Sequence, residues 1–413
     1  MRLSPTRRRR WRIVLAVLLI SSVGACSSAT DAPPNAATSS PPNTAPPGSP
    51  TTTLEHSLPP SVHDFLSSTS AFLGTDRIEV WVCEVPQGAT DPTFNRSTLR
   101  LALDPSVLSG LLNKYVTAYY QQLSHGAYQP AFLPGRIHQM TVDESPQDCL
   151  DAALNSSAAT TSGVLAVATA ENAATAAGGF GTIGYICASR PLSRCPAAST
   201  RRGAYVGASD FHPDWGPEPA VDLEEHELGH MLGWTHSGDD IGEDHNSGID
   251  VMSNSAAPRS FDPGRRDGQD TLGINRLAAR WLPLSDVAID QPIQGTAQTF
   301  ALRPSTGASG TRLLVLPVDS NRFLTVEYLP KSGLDSFFPT GGVTVTLIDQ
   351  SPAACNQATR CLGPRRRQLT EVGTAPFFDL LTPRSGEWTG QGWSVKVTGL
   401  SDVATVQVKF SSR

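Results

Sequence analysis

Several features that mark common classes of protein are missing from this 413-residue chain. No two of its cysteines are separated by only two residues, so the usual cysteine spacing of a structural zinc site is absent. Beyond the first 25 residues, no apolar run is long enough to cross a bilayer. The net charge is −6 and no long basic stripe follows the N-terminus. We therefore predict no nucleic-acid partner, and interpret the arginines at 201–202 and 365–367 as solvated surface.

The N-terminus has the pattern of an export signal. Residues 7–10 are basic and residues 11–20 form an apolar region with its core at 13–20, too short to span a bilayer. Residues 23–26 (VGAC) resemble a bacterial lipobox, which implies that Cys26 is lipidated and begins the mature chain. We expect a signal peptide over residues 1–25 and a lipoprotein on the outer face of the cytoplasmic membrane. The alternative is a plain signal peptide and a freely secreted protein.

Residues 26–75 are predicted to be a tether. Serine, threonine, proline and alanine dominate residues 27–60, as in SSPPNTAPPGSPTTT, and leave too little apolar surface to offset the entropy of the chain. The prolines favour extended spacing. An ordinary disordered tail would have nearly the same composition, so the sequence does not separate the two interpretations.

The cysteines predict disulfide bonds. With Cys26 set aside, six of the seven cysteines remain, an even number in an exported chain. Their connectivity does not follow from the sequence. If the short loops Cys187–Cys195 and Cys355–Cys361 close, Cys83 and Cys149 are left as the third pair.

The most informative run in the chain is HELGHMLGWTH. Residues four apart share one face of an α-helix, so His226 and His230 would direct two imidazoles at a single ion. Glu227 would reach a water on that ion. Gly233 can adopt the conformation that ends a helix and turns the chain back, which would bring His236 round as a third ligand. Three protein ligands and one open position are typical of a catalytic zinc site.

One of only four methionines, Met252, follows this run by sixteen residues. A HExxHxxGxxH motif followed by such a methionine resembles the metzincin clan of zinc endopeptidases, strongly over about residues 218–283. The resemblance implies one zinc on the three histidines, Glu227 as the general base, and Met252 as the floor of the site. Astacin-like and serralysin-like members have a tyrosine two residues after the methionine, where this chain has Asn254.

The predicted fold is α+β. We expect a metzincin-like catalytic domain at residues 76–283, with a twisted mixed sheet, helices and the zinc helix, and then an all-β, sandwich-like domain at residues 284–413. Strands of the first domain are predicted at 78–85, 164–168, 180–187 and 204–207, and helices from 104, around 147–155, from about 219 and over 272–282. Strands of the second are predicted at 313–318, 323–329, 343–348, 393–397 and 404–410. This second part weakly resembles the β-domain of gametolysin-like and immune-inhibitor-A-like proteases.

Acidic residues near the motif have ordinary explanations. Asp222, Glu224 and Glu225 fall in the early turns of the predicted zinc helix, where acids suit the helix dipole, and we prefer this to a catalytic role. The stretch at 239–244 could hold Ca²⁺ through its carboxylates, but it does not match the EF-hand pattern, and a solvated loop is favoured. Its acids are Asp239, Asp240, Glu243 and Asp244.

Two further histidines, His212 and His245, are predicted to lie in loops near the motif. Either could touch substrate. An exposed loop histidine without a ligand role is the preferred interpretation for both.

The leading hypothesis is a membrane-anchored, extracytoplasmic zinc endopeptidase that acts on protein or peptide substrates. Its edge strand at 180–187 would pair with an extended substrate, and the glycines at 181 and 184 would let that backbone approach closely. A non-catalytic surface lipoprotein with a structural zinc and a zinc amidase acting on cell-wall peptides are the alternatives. Glu227 argues against the structural zinc, because such a site needs no general base and prefers four protein ligands.

Overall fold

A mixed sheet of five strands organises the first half of the folded chain. The structure, a computed structural model, describes residues 58–172, 178–181, 202–238, 245–351, 365–368 and 380–411. The strands are β1 (Gly74–Glu84), β2 (Tyr128–Gln139), β3 (Gly163–Ala168), β4 (Gly179–Gly181) and β5 (Arg202–Val206). Their order is β2-β1-β3-β5-β4, and all are parallel except β4, which pairs antiparallel with β5 at the edge. The predicted mixed sheet is thus confirmed.

Both faces of this sheet are buried. Side chains alternate along each strand, so neighbouring residues belong to different hydrophobic clusters on the two faces. Ile78, Val80 and Val82 of β1 belong to one hydrophobic cluster, together with residues of α1 (Pro60–Ser67), α2 (Pro105–Lys114) and α3 (Val116–Leu123). Trp81 and Cys83 point the other way, into a second cluster that includes residues of α4 (Pro146–Ser156). The sheet therefore forms a central layer between α1–α3 on one face and α4 on the other.

A disulfide bond between Cys83 and Cys149 links β1 to α4. This confirms the third predicted pair, which remains when Cys187 is paired with Cys195 and Cys355 with Cys361. The two cysteines are 66 residues apart. A crosslink of that span restricts the unfolded chain by about 4 kcal/mol on the chain-entropy account. The other five cysteines lie outside the described residues.

In the described part of the chain, two short α-helices follow the sheet. Helix α5 (Asp222–Met231) carries the histidine motif and begins slightly later than predicted. Helix α6 (Gly273–Ala278) is shorter than the predicted 272–282. Arg280 has a φ of 66°, in the left-handed region, and a right-handed helix cannot continue through that conformation.

The remaining strands form two sheets. The six-stranded sheet contains β6 (Ser237–Gly238), β7 (Val287–Ile289), β9 (Leu313–Pro317), β10 (Arg322–Leu329), β11 (Gly342–Asp349) and β12 (Arg365–Gln368), in the order β6-β12-β11-β10-β9-β7. The four-stranded sheet contains β8 (Ala297–Leu302), β13 (Glu387–Gly390), β14 (Trp393–Leu400) and β15 (Ala404–Phe410), in the order β13-β14-β15-β8. Buried residues of both sheets share one hydrophobic cluster, so they pack on each other as a sandwich.

The six-stranded sheet is apolar on its other face as well. In β9, Leu314 and Leu316 face the four-stranded sheet, whereas Leu313 and Val315 belong to the cluster that contains the α6 residues Ile274 and Leu277. One hydrophobic cluster therefore runs across the predicted boundary at residue 283. Strand β6, directly after His236, also pairs with β12 of this sheet.

The described part of the chain contains no helix with both the length and the apolar character needed to cross a bilayer.

Candidate metal centre

His226 and His230 lie one turn apart on α5, with their ring centroids 4.8 Å from each other. The Nδ1 atom of His226 is 2.7 Å from the carbonyl oxygen of Val251, and that of His230 is 2.8 Å from the carbonyl oxygen of Trp234. A carbonyl oxygen only accepts, so each Nδ1 carries the hydrogen and donates it. Each Nε2 is then left with its lone pair, as in histidines that bind a metal.

The third histidine reaches the same place through a turn at Gly233. This glycine has a φ of 80°, a left-handed conformation that ends α5. The turn brings His236 back until its Nε2 lies 2.9 Å from that of His230. The structure thus brings the three predicted ligands together.

Glu227 is the carboxylate of this cluster. Its side chain is 3% exposed, and its Oε2 atom has no hydrogen-bond partner among the described residues. A carboxylate oxygen of Glu227 and one nitrogen from each of His226 and His230 lie within 4.8 Å of one another. Burial raises the pKa of Glu227 well above its usual value, which favours a proton on this group.

Burial has the opposite effect on the histidines. It lowers the pKa of His226 and His236, and the neighbouring imidazoles lower it further. Both side chains are therefore held neutral, the form that binds zinc. Three convergent imidazoles beside a buried carboxylate whose Oε2 has no partner among the described residues fit a zinc ion, and zinc is the metal that this donor set favours.

Met252 packs against the helix that carries the histidine motif. Its side chain is fully buried, and its sulfur packs against α5 at Gly229, where an added Cβ would overlap it. The same turn supplies the Val251 carbonyl that orients His226, and the Met252 carbonyl accepts from the Ser237 N–H at 3.0 Å. The turn therefore fixes both ends of the motif.

The fourth imidazole, His245, was missed by the sequence interpretation. It is exposed, as predicted, yet its Nε2 is 3.0 Å from that of His236. No motif in the sequence marks this position. His212, in contrast, belongs to neither of the candidate metal groups found among the described residues. Its Nδ1 accepts from the Asp214 N–H at 3.1 Å.

The acids at the start of α5 do lie in its first turn, but they are buried. Asp222 forms an ion pair with Arg259, and Glu225 accepts from the Gly268 N–H at 2.8 Å. Burial together with Asp222 raises the pKa of Asp210 to about 7, and burial with Asp210 raises that of Glu224. These groups hold the helix in the core, so a helix-dipole account alone is incomplete. The acidic stretch proposed for Ca²⁺ lies outside the described residues.

A cavity of about 400 Å³ lies away from the histidines, at the first residues of the parallel strands. Its polar groups bind one another: Arg202 pairs with Asp76, which also accepts from the Tyr128 hydroxyl at 2.8 Å. The prediction that Arg202 is solvated surface is therefore wrong, since its side chain is buried in this pair. The cavity therefore offers no unsatisfied charge to a ligand, and the chemistry lies with the histidine cluster.

Comparison with known proteins adds little to this geometry. No protein-family model matches the chain, and no curated protein matches it. Among solved structures, archaemetzincin from Methanopyrus kandleri is similar, with 14% sequence identity and a TM-score of 0.28 over 50% of this chain and 95% of that one. A likeness this distant carries no argument about the fold or the activity.

Proposed function

We propose that this chain is an extracytoplasmic zinc endopeptidase. The observation that carries the proposal is the environment of Glu227, a buried carboxylate whose Oε2 has no partner among the described residues and which lies beside the converging imidazoles. Burying an unsatisfied carboxylate is costly, and a group placed in this way is a candidate for proton transfer. A structural metal site needs no carboxylate for proton transfer.

His226, His230 and His236 would hold the ion. When bound there, zinc would lower the pKa of a water molecule to about 7 and polarise the scissile carbonyl. Glu227 would accept the proton from the attacking water on its carboxylate and later deliver it to the leaving amine.

Strand β4 is the candidate surface for substrate. It pairs with β5 on one side and is the last strand of its sheet on the other, within the described residues. An extended peptide could pair with that free edge directly above α5. The described strand ends at Gly181, and the rest of the predicted edge strand, residues 182–187, lies outside the described residues.

The proposal is tested by Glu227→Gln in the zinc-loaded full chain. We expect peptide hydrolysis to fall by about 10²–10⁴-fold, the usual contribution of a general base, while zinc content stays at the wild-type level. Glu218→Gln, at a half-exposed carboxylate, is the matched control and should keep full activity. Near-normal hydrolysis by Glu227→Gln would contradict the mechanism.

A second candidate function is a non-catalytic surface protein with a structural zinc. The observation that favours it is His245, since four protein ligands are typical of a structural site. In that case a zinc-directed hydroxamate would have no proteolysis to inhibit. Blocked cleavage of a protein substrate by such a compound supports the endopeptidase instead.

The proposed protease would act from the membrane surface. The lipobox-like residues 23–26 support lipidation at Cys26, and the residues before α1 would tether the folded part. The predicted tether of 26–75 is too long, because Val62 and Phe65 of α1 are buried in the core. Cys26→Ser should move the protein from the membrane fraction to the medium with its activity intact. An unmodified N-terminus on wild-type protein recovered from the medium would refute the anchor.

A further inference from the structure

His245 lies against the metal centre at ligand distance. Its Nε2 is 3.0 Å from that of His236, and the two ring centroids are 4.0 Å apart. One nitrogen from each of His226, His236 and His245 lies within 4.8 Å of the others. Two nitrogens bound to one tetrahedral zinc lie about 3.3 Å apart, as follows from Zn–N bonds of about 2.0–2.1 Å. The spacing of His236 and His245 is therefore close to that of two ligands of one ion.

The chain just after His245 is fastened to the turn at Met252. The Ser247 N–H donates to the Ser253 hydroxyl at 3.0 Å, and the Ser247 carbonyl accepts from the Asn254 N–H at 3.0 Å. Both serines are buried. The turn that supports the histidine helix thus also positions His245.

His245 differs from the buried ligands in two ways. It is exposed, whereas His226 and His230 are 4% and 5% exposed. It also has a φ of 63°, a left-handed conformation that is uncommon for residues other than glycine. An exposed ligand in a strained conformation is held less firmly than two that the core surrounds, so it would be the first to exchange.

We propose that His245 is a fourth zinc ligand, which fills the open position of the metal centre and holds the enzyme latent. The inference rests on the proposed function and names a regulation of the same site. With His245 bound, the position that a catalytic zinc site leaves open for water would be taken. Displacement by substrate would break one bond from the ion to the imidazole, whose lone pair would leave with His245, and would open that position.

The direct test is X-ray absorption at the zinc edge of the zinc-loaded full chain. Scattering from imidazole rings counts the histidine ligands, and we expect four in the wild type and three in His245→Ala. The variant should also bind zinc at least about tenfold more weakly, the smallest loss that removal of even an outer-shell partner causes. His63→Ala removes an exposed imidazole on α1 and should change neither result.

The second readout is hydrolysis at saturating zinc, where we expect His245→Ala to be several-fold faster than the wild type because the position is already open. Three imidazoles in the wild type would overturn the proposal whether or not the variant folds, and would leave the proposed protease standing if cleavage is seen. Four imidazoles with no gain of activity in the variant would also overturn it. If neither the wild type nor His245→Ala cleaves substrate, both the latency proposal and the proposed protease function fail. His245 then belongs to a structural zinc site.

Discussion

At the scale of single residues, the packing of α5 against β4 determines where Glu227 can lie. A Cβ added at Gly181 would be 2.5 Å from the Glu227 carbonyl oxygen and 2.6 Å from the His230 Cβ. One added at Gly179 would be 3.0 Å from Glu227 Oε1. These glycines let the strand approach the helix, which excludes water from the carboxylate. The sequence predicts that Gly181 allows a substrate backbone to approach closely. In the structure, the element that approaches Gly181 is helix α5.

Gly181→Ala is therefore expected to disturb the site. Backbone and Cβ atoms cannot yield as a flexible side chain would, so the strand must move away from α5. We expect a large loss of catalytic efficiency and weaker zinc binding, measured by peptide hydrolysis and by competition with a chromophoric chelator. Gly110→Ala, in helix α2 with no atom near the added Cβ, is the control and should keep both properties. Wild-type activity in Gly181→Ala would contradict this packing account.

The sequence predicts the five motif positions well, because helix spacing and one glycine turn are local properties of the chain. His226 and His230 need only a helical turn between them, and His236 needs only the turn at Gly233. His245 could not be predicted in this way. Its position depends on the contacts of Ser247 with the turn at Met252, which are tertiary.

At the scale of elements, the sequence predicts helices and strands that depend on local residues. It does not predict those that depend on contacts with neighbouring elements. The Asp104-Pro105 start of α2 is confirmed, since the Asp104 side chain accepts from the N–H groups of Ser106 and Val107. Strand β2 is not among the predicted strands, and Pro130 and Pro134 lie within it. It tolerates them as the edge strand of its sheet, where a missing donor costs least.

Strand β10 and helix α6 are joined by a buried carboxylate whose titration can be measured. Glu327 Oε2 accepts from the Gly273 N–H at 2.8 Å, and its side chain is fully buried. Burial raises the pKa of Glu327 to about 7. Below the pKa of the unfolded chain, near 4.3, the group is protonated in both states and has no effect. As the pH rises towards 7, only the unfolded state loses the proton, so the free energy of unfolding falls.

Glu327→Gln removes this titration and retains an oxygen for the Gly273 N–H. We expect the wild type to lose stability between about pH 4.5 and 7 relative to the variant, by an amount on the order of 3 kcal/mol. Denaturant unfolding of both proteins across this range, with zinc saturating, measures the difference. Glu387→Gln, at an exposed carboxylate, should follow the wild type. Parallel pH profiles for wild type and Glu327→Gln would show that the raised pKa is not present.

At the scale of the whole molecule, the C-terminal sheets are part of the support for the metal centre. Strand β12 pairs with β6 directly after His236, and the six-stranded sheet shares a hydrophobic cluster with α6. The sequence predicts the strands of this region from their alternation and turns. It does not reveal that one sheet is apolar on both faces, because a continuous apolar run such as LLVLP has no period to assign. The division at residue 283 stays a prediction.

The most direct test of the central claim is a zinc titration of the metal-free full chain, in which bound zinc and cleavage of a protein substrate are measured on the same samples. The account predicts that cleavage rises in proportion to bound zinc and reaches its limit at about one equivalent per chain, as expected for one ion on the site of His226, His230 and His236. Cleavage without metal would contradict the account. So would one equivalent of tightly bound zinc with no cleavage by either the wild type or His245→Ala.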